Sequence, residues 1–493
     1  MGRAILPDSL HRFIAALPSR CRLACLVLCF VFAQGSGWAQ GSAPSGFRED
    51  QIFIQPKPGI SQPALANFHS TRGAQVLKTF SHIGNLQLLR VPKGETAQSL
   101  IAHYQRSGLI EFAEPDYLGQ VFATPNDPRY LDHTLWGLEK ISAPGGWDVR
   151  TAASNIVVAV LDTGVRYTHE DLTANMWTNS VLGGHGWNAL AGNNDPNDDS
   201  THGTAVAGVL GAVGNNGKGV CGVAWRTQIM ACKCFNSSGI GSISSVIIGM
   251  EYARTNGARI INASWGFTNS LALSNAVYSL RDSNIIVVAA CGNSATNIDL
   301  SPTFPASYPF DNVVSVTSTT SADLLAPSSN FGAASVHLAA PGEQIYTTFP
   351  ATDSFYFAQS GTSFAAPHVA GALALMLAKF PAESYQQIIC RLLAATDPLP
   401  SLAGKCVTGG RLNLRNALNP PINLTALPPT AGAPFQLHLA TGANRVCVIQ
   451  VSTNLTGWTP VFTNTTSVLG TFDFTDASSA NSARRFYRAI SSL

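Results

Sequence analysis

Between residues 156 and 340 the chain alternates short apolar runs with stretches whose apolar positions recur every three or four residues. The runs at 156–161 (IVVAVL), 229–235, 260–264, 285–290 (IIVVAA), 313–317 and 336–340 have strand length and little polar alternation. A strand buried on both faces reads this way. The stretches at 202–213, 242–255 and 272–282 have helical spacing, and an Ala- and Leu-rich run at 370–380 (AGALALMLAKF) predicts one more helix. Strands and helices in alternation predict an α/β fold, a parallel sheet covered by helices on both faces.

The pattern changes on either side of this region. In 45–122, the segments 51–54, 86–91 and 110–117 read as strands, and 96–106 has helical spacing behind a threonine. A small α/β domain is expected there, closed by the break Thr124-Pro125-Asn126-Asp127-Pro128. Beyond 419 helical spacing disappears. Pro420-Pro421 and Pro428-Pro429 predict a linker at 420–429, and strand-like 435–439, 446–451 and 471–474 predict a C-terminal β-sandwich-like domain over 430–493. The central domain is then 124–419.

Composition sharpens this picture. Hydrophobic residues make up 45% and charged residues 12% of the 493, so most of the chain can build packed cores. Thirty Lys+Arg against 28 Asp+Glu leave a net charge of +2, which gives no basic field for nucleic acid. A monomer is expected. Residues 1–39 read as an export signal. Arg12, Arg20 and Arg22 precede an apolar run at 23–33 too short to span a bilayer comfortably, and Gly37-Trp38-Ala39 offers small residues for cleavage after Ala39. The alternative is an uncleaved anchor. With the signal removed, seven of ten cysteines remain, an odd number that implies a free thiol. Cys390 and Cys406 bracket a short loop and are the expected disulfide, whereas Cys232 and Cys234 share one strand face and are expected as buried thiols.

Three short motifs stand where this fold places loops. Asp162-Thr163-Gly164 follows the run ending at Leu161, His202-Gly203-Thr204 opens a helix of small residues, and Ser363 lies in Gly361–Gly371 ahead of the 370–380 helix. Carboxyl ends of parallel strands are where such sheets carry sites. Taken singly, Asp162 could be a turn cap, His202 a structural histidine and Ser363 a helix N-cap. Together they supply an acid, a base and a nucleophile: an imidazole takes the proton of a weakly acidic hydroxyl, and a carboxylate fixes the tautomer. Asn293, in Ala290-Cys291-Gly292-Asn293, can offer an amide N–H to a developing oxyanion beside the backbone N–H of Ser363.

These four blocks, in this order and spacing, resemble the signature blocks of subtilisin-like serine proteases, and Thr124-Pro125-Asn126-Asp127-Pro128 with Val213-Gly214-Asn215-Asn216 resemble the thermitase-like secreted bacterial branch. The likeness runs from about residue 126 to 419. It implies a secreted or cell-surface serine endopeptidase, acting on protein or peptide substrates through an acyl-enzyme. Residues 45–122 resemble an inhibitory propeptide, so the chain would be a zymogen with its own intramolecular inhibitor. The resemblance assigns Ser264, Trp265 and Gly266 to one wall of the substrate pocket, and Ala289, Ala290, Cys291 and Gly292 to the other. No acid follows Asn293, so an apolar or aromatic P1 residue is expected. It also implies a structural Ca²⁺ held by Asp127, Asp171 and Asn216 with the carbonyls of Val213, Lys218 and Val220. No organic cofactor is implied. The acidic stretch 193–199 reads as a solvated loop or a second ion site. Three departures from the family pattern are Thr201, where a glycine is usual, Ala205, where a second histidine is usual, and Phe364, where a methionine is usual. The rival reading is a non-catalytic binding protein that kept the fold. Residues 424–493 could bind a surface, a polysaccharide or a substrate, or act as a spacer.

Overall fold

This computed structural model describes residues 46–118, 123–428, 434–442, 445–453, 458–467, 470–479 and 485–491. The expected export signal lies outside the described residues. Residues 123–421 fall in one compact unit. Its frame is a nine-stranded sheet of order β14-β15-β11-β10-β9-β8-β5-β7-β6. The strands that matter most are β5 (Ala152–Asp162), β7 (Arg226–Lys233), β8 (Ile260–Ala263), β9 (Ile286–Ala290), β10 (Val313–Thr319) and β11 (Leu338–Pro341). They pair in parallel, with Val160 opposite both Ala231 and Asn262, and Ala263 opposite Ala289. Short strands β14 (Asp397–Pro398) and β15 (Gly410–Arg411) add an antiparallel pair at one edge, and β6 (Gly186–Asn188) closes the other.

The period-two geometry of β5 sends its side chains into two different cores. Val158 and Val160 join one with the helices His202–Gly211 and Thr362–Lys379; Ala159 and Leu161 join the other with Ile243–Thr255 and Leu271–Asp282. This is why the strands read as unbroken apolar runs. Every residue of Thr362–Lys379 except the terminal Lys379 is buried, and the helix packs on β5, β8, β9, β10 and β11. An all-round apolar helix has to sit in a core. It begins well before residue 370, where the apolar pattern starts, and runs through Pro367.

Pro367 has no N–H to give the carbonyl of Ser363, four residues back. The Ser264 hydroxyl takes that role, donating to the Ser363 carbonyl at 2.8 Å. A helical defect in the first turn thereby ties the serine segment to the end of β8.

The N-terminal domain is an antiparallel sheet of order β2-β3-β1-β4, with strands Phe47–Pro56 (β1), Gln75–Phe80 (β2), Leu86–Arg90 (β3) and Ile110–Tyr117 (β4). Helices Gln62–Arg72 and Ala97–Arg106 accompany it, the second capped by Thr96 as the threonine-led pattern implies. The described residues of the C-terminal region form two three-stranded antiparallel sheets, one ordered Asn423–Ala426, Phe435–Ala440, Thr471–Asp476 and the other Thr459–Thr465, Val446–Ser452, Phe486–Ser491. Strand β16 (Asn423–Ala426) pairs with β17 (Phe435–Ala440), so the expected linker 420–429 already contains part of the β-domain. Cys390 is exposed and Cys406 is buried, and no disulfide joins them, which overturns the expected pairing. Cys232 and Cys234 are buried free thiols, as their strand spacing implies. Among the described residues no helix is long and apolar enough to cross a membrane.

Candidate active site

Strands β5, β8 and β9 are neighbours, and their carboxyl ends carry Asp162, Ser264 and the turn Cys291–Asn293. The chain leaves β5 toward β7 on one side, while β8 and β9 lie on the other. A crevice opens where connections diverge in this way.

Asp162 is almost fully buried. Its Oδ1 accepts from His202 Nδ1 at 2.8 Å and from the Thr163 amide at 2.7 Å. A carboxylate oxygen only accepts, so His202 carries its proton on Nδ1 and presents Nε2 as a bare base. The His202 side chain is 34% exposed. Burial draws its pKa down, but the charge and hydrogen bond of Asp162, with the charge of Asp198, outweigh burial and raise it above the ordinary imidazole value. Gly203 lets the helix approach: a Cβ there would stand 2.0 Å from the Gly164 carbonyl and 3.0 Å from the Asp162 Cβ. Phe364 lies against the imidazole, ring centroids 5.6 Å apart.

Ser363 is 8% exposed and sits in the first turn of its helix, where backbone N–H groups are unpaired. Its hydroxyl donates to the Ser264 carbonyl at 3.2 Å. The Asn293 Oδ1 accepts from the Thr362 amide at 2.8 Å and from the Thr362 hydroxyl at 3.0 Å. A backbone N–H cannot accept, so the amide orientation is fixed and Nδ2 is the end left to donate.

Two side chains that sequence reasoning passed over brace this arrangement. Asp198 is 7% exposed. It accepts from the Thr163 hydroxyl at 2.9 Å and, through its other oxygen, from the Thr204 amide at 3.0 Å and hydroxyl at 2.6 Å. One carboxylate thus ties the residue after Asp162 to the first turn of the His202 helix. Lys233 places its ammonium 2.6 Å from the Thr163 carbonyl and 2.5 Å from Asp199. The stretch 193–199 is therefore more than a solvated loop, and its buried acid is spent on internal donors. The only sequence signal was an aspartate four residues before the histidine.

Comparison with known proteins now bears on the site. The Subtilase family profile matches residues 153–406, just over half of the chain, and the Fervidolysin N-terminal prodomain matches residues 36–116. The chain belongs to the subtilase family. A thermophilic serine proteinase of Bacillus sp. (strain AK1) is 36% identical over 372 residues, covering 75% of this chain and 87% of that protein. Thermitase of Thermoactinomyces vulgaris is 38% identical over 254 residues, 51% of this chain and 85% of thermitase. A solved protease from Pseudoalteromonas arctica superposes with a TM-score of 0.54 at 29% identity, over 60% of this chain and 99% of that one. The protein is a subtilisin-like serine protease, a hydrolase made as a zymogen with an N-terminal prodomain.

In this subtilase the predicted pocket residues divide by accessibility. Gly266 is exposed, and Trp265 and Gly292 are half-buried. Ser264 is buried and engaged with Ser363. Ala289 and Cys291 bury their side chains in the core on the far side of the sheet and Ala290 in the core on the near side, leaving only backbone to meet a peptide. Burial pushes the Cys291 thiol up to about 12. The Trp265 indole donates to the Leu161 carbonyl at 2.8 Å, next to Asp162.

The residues implied for calcium do come together. Asp127 and Asp171 are fully buried. Asp127 accepts the amide of Asn215 at 2.7 Å; Asp171 accepts the amide of Val220 at 2.9 Å, the Tyr356 hydroxyl at 2.8 Å and Asn216 Nδ2 at 2.7 Å. The Val213 amide donates to the Asp171 carbonyl at 2.7 Å. Lys218 gives its amide to Asn216 Oδ1 at 2.8 Å, and its ammonium stands 3.3 Å from Glu170. Burial, with the Asp171 charge adding to it, pushes the Asp127 carboxyl up to about 6. Two buried carboxylates that resist sharing negative charge are a donor set suited to a hard cation. Asn216 departs from that fit, because its amide nitrogen faces Asp171. Among the described residues no group of three or more His, Cys, Asp or Glu side chains gathers as a metal cluster, so the pair would need carbonyl or amide oxygens as well.

Proposed function

We propose that the chain is a secreted serine endopeptidase working through Asp162, His202 and Ser363, with Asn293 as oxyanion donor. The observation that carries this reading is the 2.8 Å hydrogen bond from His202 Nδ1 to Asp162, which leaves Nε2 free as the base. For catalysis the Ser363 hydroxyl has to leave the Ser264 carbonyl and donate to that nitrogen, a hydrogen bond of the kind that is often long or poorly aligned until substrate binds. Ser363 Oγ then attacks the scissile carbonyl as His202 takes its proton. The oxyanion gathers the Asn293 Nδ2 donor and the Ser363 amide. His202 returns the proton to the leaving amine, giving an acyl-enzyme that water hydrolyses by the same relay.

An extended peptide would add to the chain at 264–266 by backbone hydrogen bonds, with the pocket toward 289–292 reading the P1 side chain. The neutral surroundings favour an apolar or aromatic residue there. The proposed boundaries are a signal at 1–39, a propeptide at 45–122 and a peptidase domain at 124–419. Asp127 and Asp171 would hold a structural Ca²⁺ with Asn216 and the carbonyls of Val213, Lys218 and Val220, fixing the loops that surround the His202 helix. The test is labelling of the processed protein by a fluorophosphonate probe. Label on wild type and none on Ser363→Ala is expected, with peptide-library cleavage giving the P1 preference. No label on correctly processed wild type would overturn the reading.

A further inference from the structure

The turn that carries Asn293 does not hold its shape by its own propensity. Gly292 has φ +106° and Ala295 sits at φ +53°, a left-handed conformation that alanine adopts only under constraint. Asn293 itself is exposed, and its partners are the Thr362 amide and hydroxyl. Those contacts orient the amide plane. They leave open what fixes the position of the turn.

Asn330, only 3% exposed, lies behind it. Its Oδ1 accepts from the Ser294 amide at 2.9 Å and from the Thr296 amide and hydroxyl, both at 3.0 Å. Its Nδ2 donates to the Cys291 carbonyl at 2.9 Å, and its own amide donates to the Gly292 carbonyl at 2.8 Å. Its carbonyl accepts from Cys291 Sγ at 3.0 Å and the Thr317 hydroxyl at 2.7 Å. Three donors on one side-chain oxygen, two of them backbone amides, settle the amide orientation. A Cβ at residue 292 would stand 2.4 Å from Asn330 Nδ2, so a side chain there would displace it. Asn330 therefore bonds residues 291, 292, 294 and 296, both sides of Asn293, while the hydrogen bonds of Asn293 itself go to Thr362.

We propose that Asn330 is the positioning residue of the oxyanion turn: it holds the backbone that aims the Asn293 amide at the developing negative charge. This rests on the reading of Asn293 as an oxyanion donor. A donor stabilises the transition state only where it is already in place, so a turn freed to relax loses rate more than substrate affinity. Asn330 acts through Asn293, and the two substitutions are not additive.

The test uses the secreted, processed enzyme with a soluble chromogenic peptide. Asn330→Ala is expected to lower kcat by about ten- to a hundredfold, short of the 10²–10³ for loss of the donor itself, with KM within about threefold. In an Asn293→Ala background the same change is expected to cost less than about threefold. Asn330→Asp keeps the acceptor and loses the donor to the Cys291 carbonyl; it is expected to show the same coupling at smaller size and serves if the alanine variant does not fold. An equal kcat loss in both backgrounds, or a KM rise matching the kcat loss, would overturn the proposal. So would failure of both variants to fold, which would make Asn330 a folding residue. An Asn293→Ala enzyme with full kcat would remove the oxyanion role and the proposal with it, whereas hydrolysis surviving Ser363→Ala would overturn the protease reading itself.

Discussion

At the scale of single residues, the proposed acid and base are held less by each other than by their neighbours. Asp198 holds Thr163 and Thr204, and its charge adds to that of Asp162 in raising His202. The base must be neutral to act, so activity rises with pH through the His202 pKa, and the acid limb should lie above the ordinary value of about 6.5. Asp198→Asn removes one of the two charges. The acid limb of kcat/KM is then expected to move to lower pH, because one of the charges that favour the imidazolium is gone. The plateau should also fall about tenfold, because the two threonines bond different oxygens of Asp198 and Asn keeps an acceptor at only one of those ends. A pH–rate profile of the two enzymes checks this, and a shift to higher pH would sink it. Phe364 makes a second residue-scale prediction. It packs on the imidazole where the family usually has methionine, and the described methionines, Met176, Met230, Met250 and Met376, are all buried. Cys291 is buried and its thiol is pushed up to about 12, so it stays protonated and unreactive at neutral pH. Hydrogen peroxide should therefore spare most activity under conditions that inactivate Phe364→Met by sulfoxide formation. Equal loss in residual-activity assays would refute it.

At the scale of elements, what was legible in the sequence follows from burial. The parallel strands were readable because both faces are core, and the Asp162 and His202 motifs because each begins or ends such an element. The serine helix was half readable: 362–369 sets Phe364, two alanines and Val369 among Thr, Ser, Pro and His, and Pro367 reads as a stop, while only the tertiary bond from Ser264 shows why the helix tolerates it. The helix Gln62–Arg72 gave no apolar stripe, since it buries only Leu65 and His69. The hairpin Ile345–Phe349 and Phe355–Gln359 also went unread, although Thr347 and Thr348 bond the carbonyls of Ala205 and Thr204 in the His202 helix. Asp198 and Asn330 share one reason for being missed. Each is a polar residue in a loop, and nothing local tells a buried, many-bonded loop side chain from a solvated one. Positioning of the site is therefore a tertiary property, written across segments that the local pattern treats as connections.

At the scale of the molecule, the buried pair Asp127 and Asp171 joins stretches far apart in sequence. Asp127 opens the central unit, Asp171 lies after β5, Asn215 to Val220 follow the His202 helix, and Tyr356 comes from the hairpin ahead of Ser363. A cation bound there stabilises only the folded arrangement, by RT ln(1 + [L]/Kd), or about 4 kcal/mol at a thousandfold excess over Kd. For a unit of this size that corresponds to a Tm shift of very roughly 10 °C. Chelation of the purified enzyme with EGTA is thus expected to lower Tm, and added Ca²⁺ to restore it. Asp127→Asn should lower Tm on its own and make it indifferent to Ca²⁺, which separates binding at this pair from binding elsewhere on the chain. Calorimetry on both proteins, using the inactive Ser363→Ala background to prevent self-digestion during the scan, decides the matter. A wild-type Tm unchanged by EGTA would leave Asp127 and Asp171 as a hydrogen-bonded carboxylate pair, held by the Asn215 and Val220 amides, the Asn216 side-chain amide and the Tyr356 hydroxyl.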